Sequence, residues 1–109
     1  LEHETSERFV ALLLNGKHRV MGFAEVSRGT LTSSLVHPRE VFSPALRELA
    51  AAVIVAHNHP SGDPEPSMED IEVTKRLSEA GKILGVPLLD HIIVGEGGAF
   101  TSLRERLSL

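Results

Sequence analysis

Two histidines and one aspartate have a spacing in this sequence that suits a metal ion. His57 and His59 follow an apolar run, residues 51–56, that is typical of a buried strand. Because side chains alternate along a strand, the two histidines point to the same face if the strand continues through them. Asp70 follows a loop rich in glycine and proline and lies in the first turn of a predicted helix. Two His and one Asp leave a fourth tetrahedral position open, as in catalytic zinc sites.

Each part of this pattern also has a simpler structural explanation. Ser67-x-x-Asp70 is typical of a helix start, with a capping serine and an acidic residue in the first turn. Histidines at strand ends are often only hydrogen-bonded. The two motifs occur together, however, and we interpret the combination as a metal site with His57, His59 and Asp70 as ligands. The chain has no cysteine, so a zinc ion must use His and carboxylate ligands, and we predict Zn²⁺ there.

Two segments of the chain resemble a known protein family. Residues 57–64, HNHPSGDP, and residues 89–95, LDHIIVG, are similar to the RadC family, bacterial proteins historically labelled DNA repair proteins. More broadly, His-x-His-Pro followed by Ser-x-x-Asp resembles the signature of the JAMM (JAB/MPN) metalloprotease-like domains. JAMM proteases more often have Ser or Thr where Asn58 stands. The resemblance extends from about Glu7 to the C-terminus and implies a cytidine-deaminase-like sandwich.

Hydrolysis at such a site needs a carboxylate that takes a proton from the zinc-activated water and later gives it to the leaving group. The resemblance implies that a Glu at the start of an early strand has this role, and Glu7 matches that place. Glu40, at a predicted helix N-terminus, is the alternative, and Glu25 is a weaker third. In the JAMM pattern, the serine that corresponds to Ser67 helps to hold the water or the oxyanion. We therefore predict Glu7 and Ser67 as catalytic residues.

Hairpins fill the first half of the predicted structure, and strands and helices alternate in the second half. This order predicts an α/β fold, a three-layer sandwich in which helices cover both faces of a mixed sheet. Asp90 and His91 lie next to each other in a predicted strand, so their side chains point to opposite faces. We interpret His91 as a structural residue or as one that lies behind the ligands. The predicted strands are 9–14, 18–26, 31–36, 53–57, 88–94 and 100–101, and the predicted helices are 39–49, 67–85 and a final one to Leu107.

Length and charge limit the class of protein. The 109 residues suit one domain, and the net charge of −4 gives no support for nucleic-acid binding. No apolar run approaches a membrane span and no signal peptide is visible, so we expect a cytoplasmic protein without membrane contact. The chain starts at Leu1 rather than Met, so we expect a fragment of a longer protein. The resemblance implies that residues 1–109 form a single RadC-like domain, and the helix-hairpin-helix-like region that RadC-like proteins usually carry at the N-terminus has no match here.

These observations lead to hypotheses from three classes. The first is a zinc-dependent hydrolase that acts on a peptide or isopeptide-like amide of an unidentified protein or peptide substrate. The second is a non-catalytic or nuclease-like accessory module of DNA repair or recombination. It would contact nucleic acid through the N-terminal region or a partner. The third is a scaffold that zinc stabilises without catalysis.

Overall fold

The computed structural model describes residues 7–28 and 36–107. Hairpin strands come first, and strands and helices then alternate, as predicted. The predicted strand at 31–36 lies outside the described residues except for Val36, which is buried. The elements are β1 (Arg8–Leu14), β2 (Val20–Arg28), α1 (Pro38–Arg47), β3 (Ala52–Asn58), α2 (Met68–Leu84), β4 (Leu88–Val94), β5 (Phe100–Ser102) and α3 (Leu103–Leu107).

Within residues 7–28 and 36–107, five strands form one mixed sheet in the order β2-β1-β3-β4-β5. β1 pairs antiparallel with both β2 and β3, whereas β3 and β4 are parallel. Parallel neighbours need a crossover connection, and α2 supplies it. The chain therefore leaves the sheet at the end of β3. The predicted metal ligands lie near this point, at the carboxyl end of a parallel strand, where α/β proteins commonly have their ligand-binding sites.

Helices lie on both faces of the sheet, as β4 shows. The His91 side chain contacts Thr74 on α2, whereas the Asp90 carboxylate accepts hydrogen bonds from Ser102 Oγ and from the Arg104 backbone N–H of α3. Adjacent strand residues point to opposite faces, so α2 and α3 cover different faces. The predicted α/β sandwich with a mixed sheet is confirmed.

The hydrophobic core lies between the sheet and the two longer helices. One face of α2 packs there through Val73 and Leu77, as the helical spacing predicts. The same spacing predicts Leu84 on that face, but Leu84 is 43% exposed. Gly81 takes the buried place in the last turn, because a Cβ atom there would lie 2.6 Å from the Val86 carbonyl oxygen. The core comprises Phe9, Ala11, Leu13, Val36, Val41, Phe42, Ala45, Ala50, Val53, Val55, Val73, Leu77, Val86 and Leu88.

α1 begins at a side-chain cap. The His37 ring accepts a hydrogen bond at Nδ1 from the Arg39 backbone N–H, at 3.1 Å. Pro44 inside the predicted helix 39–49 indicates either a kink or a restart with Ser43 as the cap. The helix continues through Pro44 without a new start, so the restart is wrong. Among the described helices, none is long and apolar enough to cross a membrane.

Candidate metal centre

The end of β3 brings His57 and His59 to one side of the sheet. His57 is the partner of Phe9 on β1 and of Ile93 on β4, so it lies deep inside the sheet and is fully buried. The His57 and His59 rings lie with their centroids 4.9 Å apart. The Phe9 ring stacks on the His57 ring at 5.6 Å, which excludes water from that side of the imidazole.

A capping box at the start of α2 orients the Asp70 carboxylate. Ser67 Oγ accepts a hydrogen bond from the Asp70 backbone N–H at 3.1 Å, and Asp70 Oδ2 accepts one from the Ser67 backbone N–H at 2.7 Å. These two bonds satisfy backbone donors that a helix start otherwise leaves unpaired. Ser67-x-x-Asp70 is therefore a helix cap, as the simpler explanation has it. The same capping bonds turn the Asp70 carboxylate towards the histidines.

The three predicted ligands meet. One ligand atom from each of His57, His59 and Asp70 lies within 4.8 Å of the others. Asp70 Oδ1 is 3.0 Å from His57 Nε2, and Asp70 Oδ2 is 3.1 Å from His59 Nε2. His57 and Asp70 are buried, and the side chain of His59 is 15% exposed. The group therefore opens to the surface only on the His59 side.

The donor set fits a divalent metal ion. His57 Nε2 is buried and close to Asp70, yet the two groups are not aligned for a hydrogen bond. This nitrogen therefore has no hydrogen-bond partner among the described residues. A buried polar atom without a partner is costly, and a cation between the ring and the carboxylate would satisfy both. Two imidazoles and one carboxylate, with room for a further ligand, form the donor set of catalytic zinc sites.

The loop after β3 fixes the His59 ring. His59 Nδ1 lies 2.9 Å from the Asp63 carbonyl oxygen. A carbonyl only accepts hydrogen bonds, so Nδ1 carries a hydrogen, and Nε2 is the nitrogen that faces the Asp70 carboxylate, 3.1 Å from Oδ2. Gly95 lets the turn after β4 approach this loop, because a Cβ there would lie 2.5 Å from the Gly62 carbonyl oxygen. The loop thus has a defined position beneath His59.

Burial and charge set the protonation of two buried groups. Burial raises the pKa of Asp70, but the His57 ring, the Ser67 backbone N–H and the His59 ring favour the carboxylate and together hold its pKa well below the ordinary value. Burial is the main cause that lowers the pKa of His91 to about 3, and the neighbouring His57 adds to it. At neutral pH, the site therefore has an anionic Asp70 and a neutral His91.

A surface pocket of about 340 Å³ lies beside the ligands. Glu7 and Ser67, the predicted catalytic residues, line it together with His59 and Asp70. Glu69 also lines this pocket, although its place on α2 gives it the pattern of a solvated helix residue. Sequence reasoning therefore missed Glu69 as the third carboxylate of the pocket, beside Glu7 and Asp70, although its position next to Asp70 in the first helical turn would have indicated it.

The two alternative carboxylates lie elsewhere. Glu40 is exposed in the first turn of α1, where its carboxylate is 4.0 Å from Arg39 Nε. Glu25 lies on β2 and accepts a hydrogen bond from the Arg8 guanidinium. Neither residue lines the pocket that contains Glu7.

Comparison with known proteins shows the family of this chain. A family model described as a RadC-like JAB domain matches residues 1–108. The chain belongs to the RadC family. This RadC-family chain is 64% identical over 96 residues to a UPF0758 protein of Geobacter sulfurreducens, covering 88% of the chain and 42% of that protein. It is 57% identical over 107 residues to a UPF0758 protein of Trichlorobacter lovleyi, covering 98% of the chain and 46% of the relative.

A third relative of this RadC-like JAB domain is a UPF0758 protein of Symbiobacterium thermophilum. It is 58% identical over 106 residues, which cover 97% of the chain and 45% of the relative. The chain thus spans less than half the length of these three relatives. Their names state neither an activity nor a substrate.

Proposed function

We propose that this RadC-like JAB domain is a zinc-dependent hydrolase that cleaves a peptide or isopeptide-like amide bond. His57, His59 and Asp70 hold the zinc ion, Glu7 transfers protons and Ser67 stabilises the oxyanion. The observation that carries the proposal is the convergence of the three ligand atoms beside a pocket that Glu7 and Ser67 line. The DNA repair alternative depends on the family label alone.

The strand register supports Glu7 as the general base. Phe9 on β1 is paired with His57 on β3 in antiparallel register, so continuing that register places Glu7 opposite His59. Asn58 anchors this end of β1, because its Oδ1 accepts a hydrogen bond from the Arg8 backbone N–H at 2.7 Å. Asn58 thus stabilises the backbone next to Glu7, on the opposite side of the strand from the ligands.

In the proposed reaction, the metal ion and the protein have separate roles. When bound, the zinc ion would act as a Lewis acid that lowers the pKa of water towards about 7. The Glu7 carboxylate takes a proton from the attacking water and delivers it to the departing amine nitrogen. Both transfers use the same carboxylate, so the general base is restored at the end of the cycle.

Ser67 has a hydroxyl suited to the oxyanion. Its Oγ accepts the Asp70 backbone N–H, which fixes the oxygen at the pocket wall. The hydroxyl hydrogen then remains to be donated to the carbonyl oxygen of a substrate as negative charge develops there. The two roles are compatible because helix capping uses a lone pair of the Ser67 oxygen, whereas oxyanion stabilisation uses the hydroxyl hydrogen.

Metal analysis and three variants test the proposal. We expect about one zinc per chain in tag-free protein purified without added metal, and none in the His57→Ala/His59→Ala variant. We expect Glu7→Gln to keep the zinc and to lower turnover of a peptide library by about 100-fold or more, because the amide cannot accept the proton. Glu40→Gln is the matched control and keeps normal turnover.

The outcomes separate the parts of the proposal. Protein that contains no metal and takes up none on addition of zinc would refute the site itself. Normal turnover by Glu7→Gln would remove Glu7 from its role, and a loss in Glu40→Gln instead would transfer that role to Glu40. Zinc in the protein without cleavage of any peptide or isopeptide-linked substrate would favour the zinc-stabilised scaffold.

A further inference from the structure

A chain of buried hydrogen bonds leads from His57 into the core and returns to α2. His57 Nδ1 lies 2.8 Å from His91 Nε2, and His91 Nδ1 lies 2.6 Å from Thr74 Oγ1. Thr74 Oγ1 donates to the backbone carbonyl oxygen of Asp70 at 2.7 Å. His57, His91 and Thr74 are all fully buried, so water does not compete for these bonds. The chain therefore joins two of the three proposed ligands, His57 and Asp70, behind the site.

The carbonyl at the end sets the direction of every bond in this chain. The Asp70 carbonyl oxygen only accepts hydrogen bonds, so the Thr74 hydroxyl must donate its one hydrogen to that oxygen. Thr74 Oγ1 can then only accept from His91, which makes His91 Nδ1 the protonated nitrogen. A buried imidazole is neutral, so His91 Nε2 has the lone pair and accepts from His57 Nδ1.

This direction decides which nitrogen of His57 is available to a metal. With a hydrogen fixed on Nδ1, Nε2 is the nitrogen of His57 that remains for a metal ion, and it lies 3.0 Å from Asp70 Oδ1. The opposite direction would place a hydrogen on Nε2 and would block metal binding there. In the His59 ring, the Asp63 carbonyl fixes the Nδ1 hydrogen in the same way.

The local fold explains why these residues meet. Thr74 lies one helical turn after Asp70 on α2, where a threonine hydroxyl reaches the carbonyl of the preceding turn. His91 lies on β4 opposite Val55 of β3, on the sheet face that α2 covers. The bonds thus tie α2 to the parallel strand pair directly behind the ligands.

We propose that His91 and Thr74 are positioning residues that hold His57 in the tautomer that a metal ion requires. This proposal rests on the metal site of the proposed function, but it does not depend on the substrate or on Glu7. Ligand histidines are commonly oriented by a carboxylate or a backbone carbonyl, and their loss typically costs about 10- to 100-fold in metal affinity. Here a second histidine and a threonine share that task.

A pair of substitutions at Thr74 separates the hydroxyl from packing. Thr74→Val keeps the branched shape and removes the oxygen, whereas Thr74→Ser keeps the oxygen and removes a methyl group. We expect Thr74→Val to bind zinc about 10- to 100-fold more weakly in chelator competition, because His91 loses its acceptor and no longer has a fixed tautomer. We expect Thr74→Ser to retain nearly full affinity. A purely packing role for Thr74 would reverse this order.

Nitrogen NMR of the metal-free protein tests the tautomers without any variant. We expect the imidazole spectra to show hydrogen on Nδ1 of both His57 and His91, and a scalar coupling between His57 Nδ1 and His91 Nε2 across their hydrogen bond. An Nδ1 without a hydrogen on either ring, or equal zinc affinity in Thr74→Val and wild type, would overturn the proposal. If the wild type bound no zinc, the proposed function would fail, whereas these spectra would still decide between the tautomers.

Discussion

The buried His91 ring makes the metal-free protein sensitive to acid. Its pKa is lowered from 6.5 to about 3 in the folded chain, chiefly by burial. Between those values, the unfolded chain binds a proton at residue 91 and the folded chain does not. Protonation therefore favours unfolding, and the free energy of unfolding falls as the pH is lowered through this range. Above it, the ring is neutral in both states and contributes no pH dependence.

The size of the effect follows from proton linkage. Each pH unit between the two pKa values costs about 1.4 kcal/mol of stability, since one proton distinguishes the two states. Lowering the pH from about 7 to about 4.5 therefore removes about 2.5 kcal/mol through His91 alone. The lowered pKa of Asp70 has the same sign, but its contribution is lost only at lower pH, below the ordinary range of a carboxyl.

Urea unfolding of chelator-treated protein at a series of pH values measures this loss. The control is His91→Gln, which keeps a donor and an acceptor at this position and does not titrate. We expect the wild type to lose about 2.5 kcal/mol more than His91→Gln between about pH 7 and pH 4.5. Equal pH slopes for the two proteins would refute the conclusion that His91 is buried and neutral.

Two further substitutions test how the loop and the helix position the ligands. We expect Gly95→Ala to lower the free energy of unfolding in urea by about 1–3 kcal/mol and to weaken zinc binding. The reason is that its Cβ would collide with the backbone of the loop after β3, at Gly62. Gly22→Ala, where a Cβ meets nothing within 4 Å, is the control, and an equal cost there would contradict this reasoning. We expect Ser67→Ala to cost about 1 kcal/mol in the metal-free protein through the lost cap, whereas Ser67→Asn, which keeps a capping oxygen, costs much less. Unchanged stability of Ser67→Ala would exclude a stabilising cap at this helix.

The Ser67-x-x-Asp70 motif shows that a structural and a functional explanation need not compete. The sequence pattern indicates either a helix cap or a metal ligand. In the structure, one carboxylate, that of Asp70, has the geometry for both roles. Asp70 Oδ2 accepts from the Ser67 backbone N–H, while both carboxylate oxygens face the histidines. The helix cap thus orients the proposed ligand before any metal binds.

Local sequence patterns are sufficient to predict the strand and the helix that carry the candidate ligands. His57 and His59 end an apolar strand, and Ser67 and Asp70 start a helix, so both halves of the proposed metal site follow from local patterns. The mixed α/β fold follows as well, because hairpin signals precede alternating strands and helices. Helical periodicity does not predict the buried face at the end of α2. There the close packing of the Gly81 backbone, rather than side-chain hydrophobicity, decides which residue is buried.

The residues behind and in front of the candidate ligands depend on contacts between distant parts of the chain. His91 follows Asp70 by many residues, and its bond to His57 exists only because β4 is parallel to β3 under α2. Glu7 reaches the pocket through the register of β1 on β3, which local sequence does not specify. The physical reason is that strand register and hydrogen-bond direction depend on contacts between distant segments. Composition and periodicity describe only near neighbours along the chain.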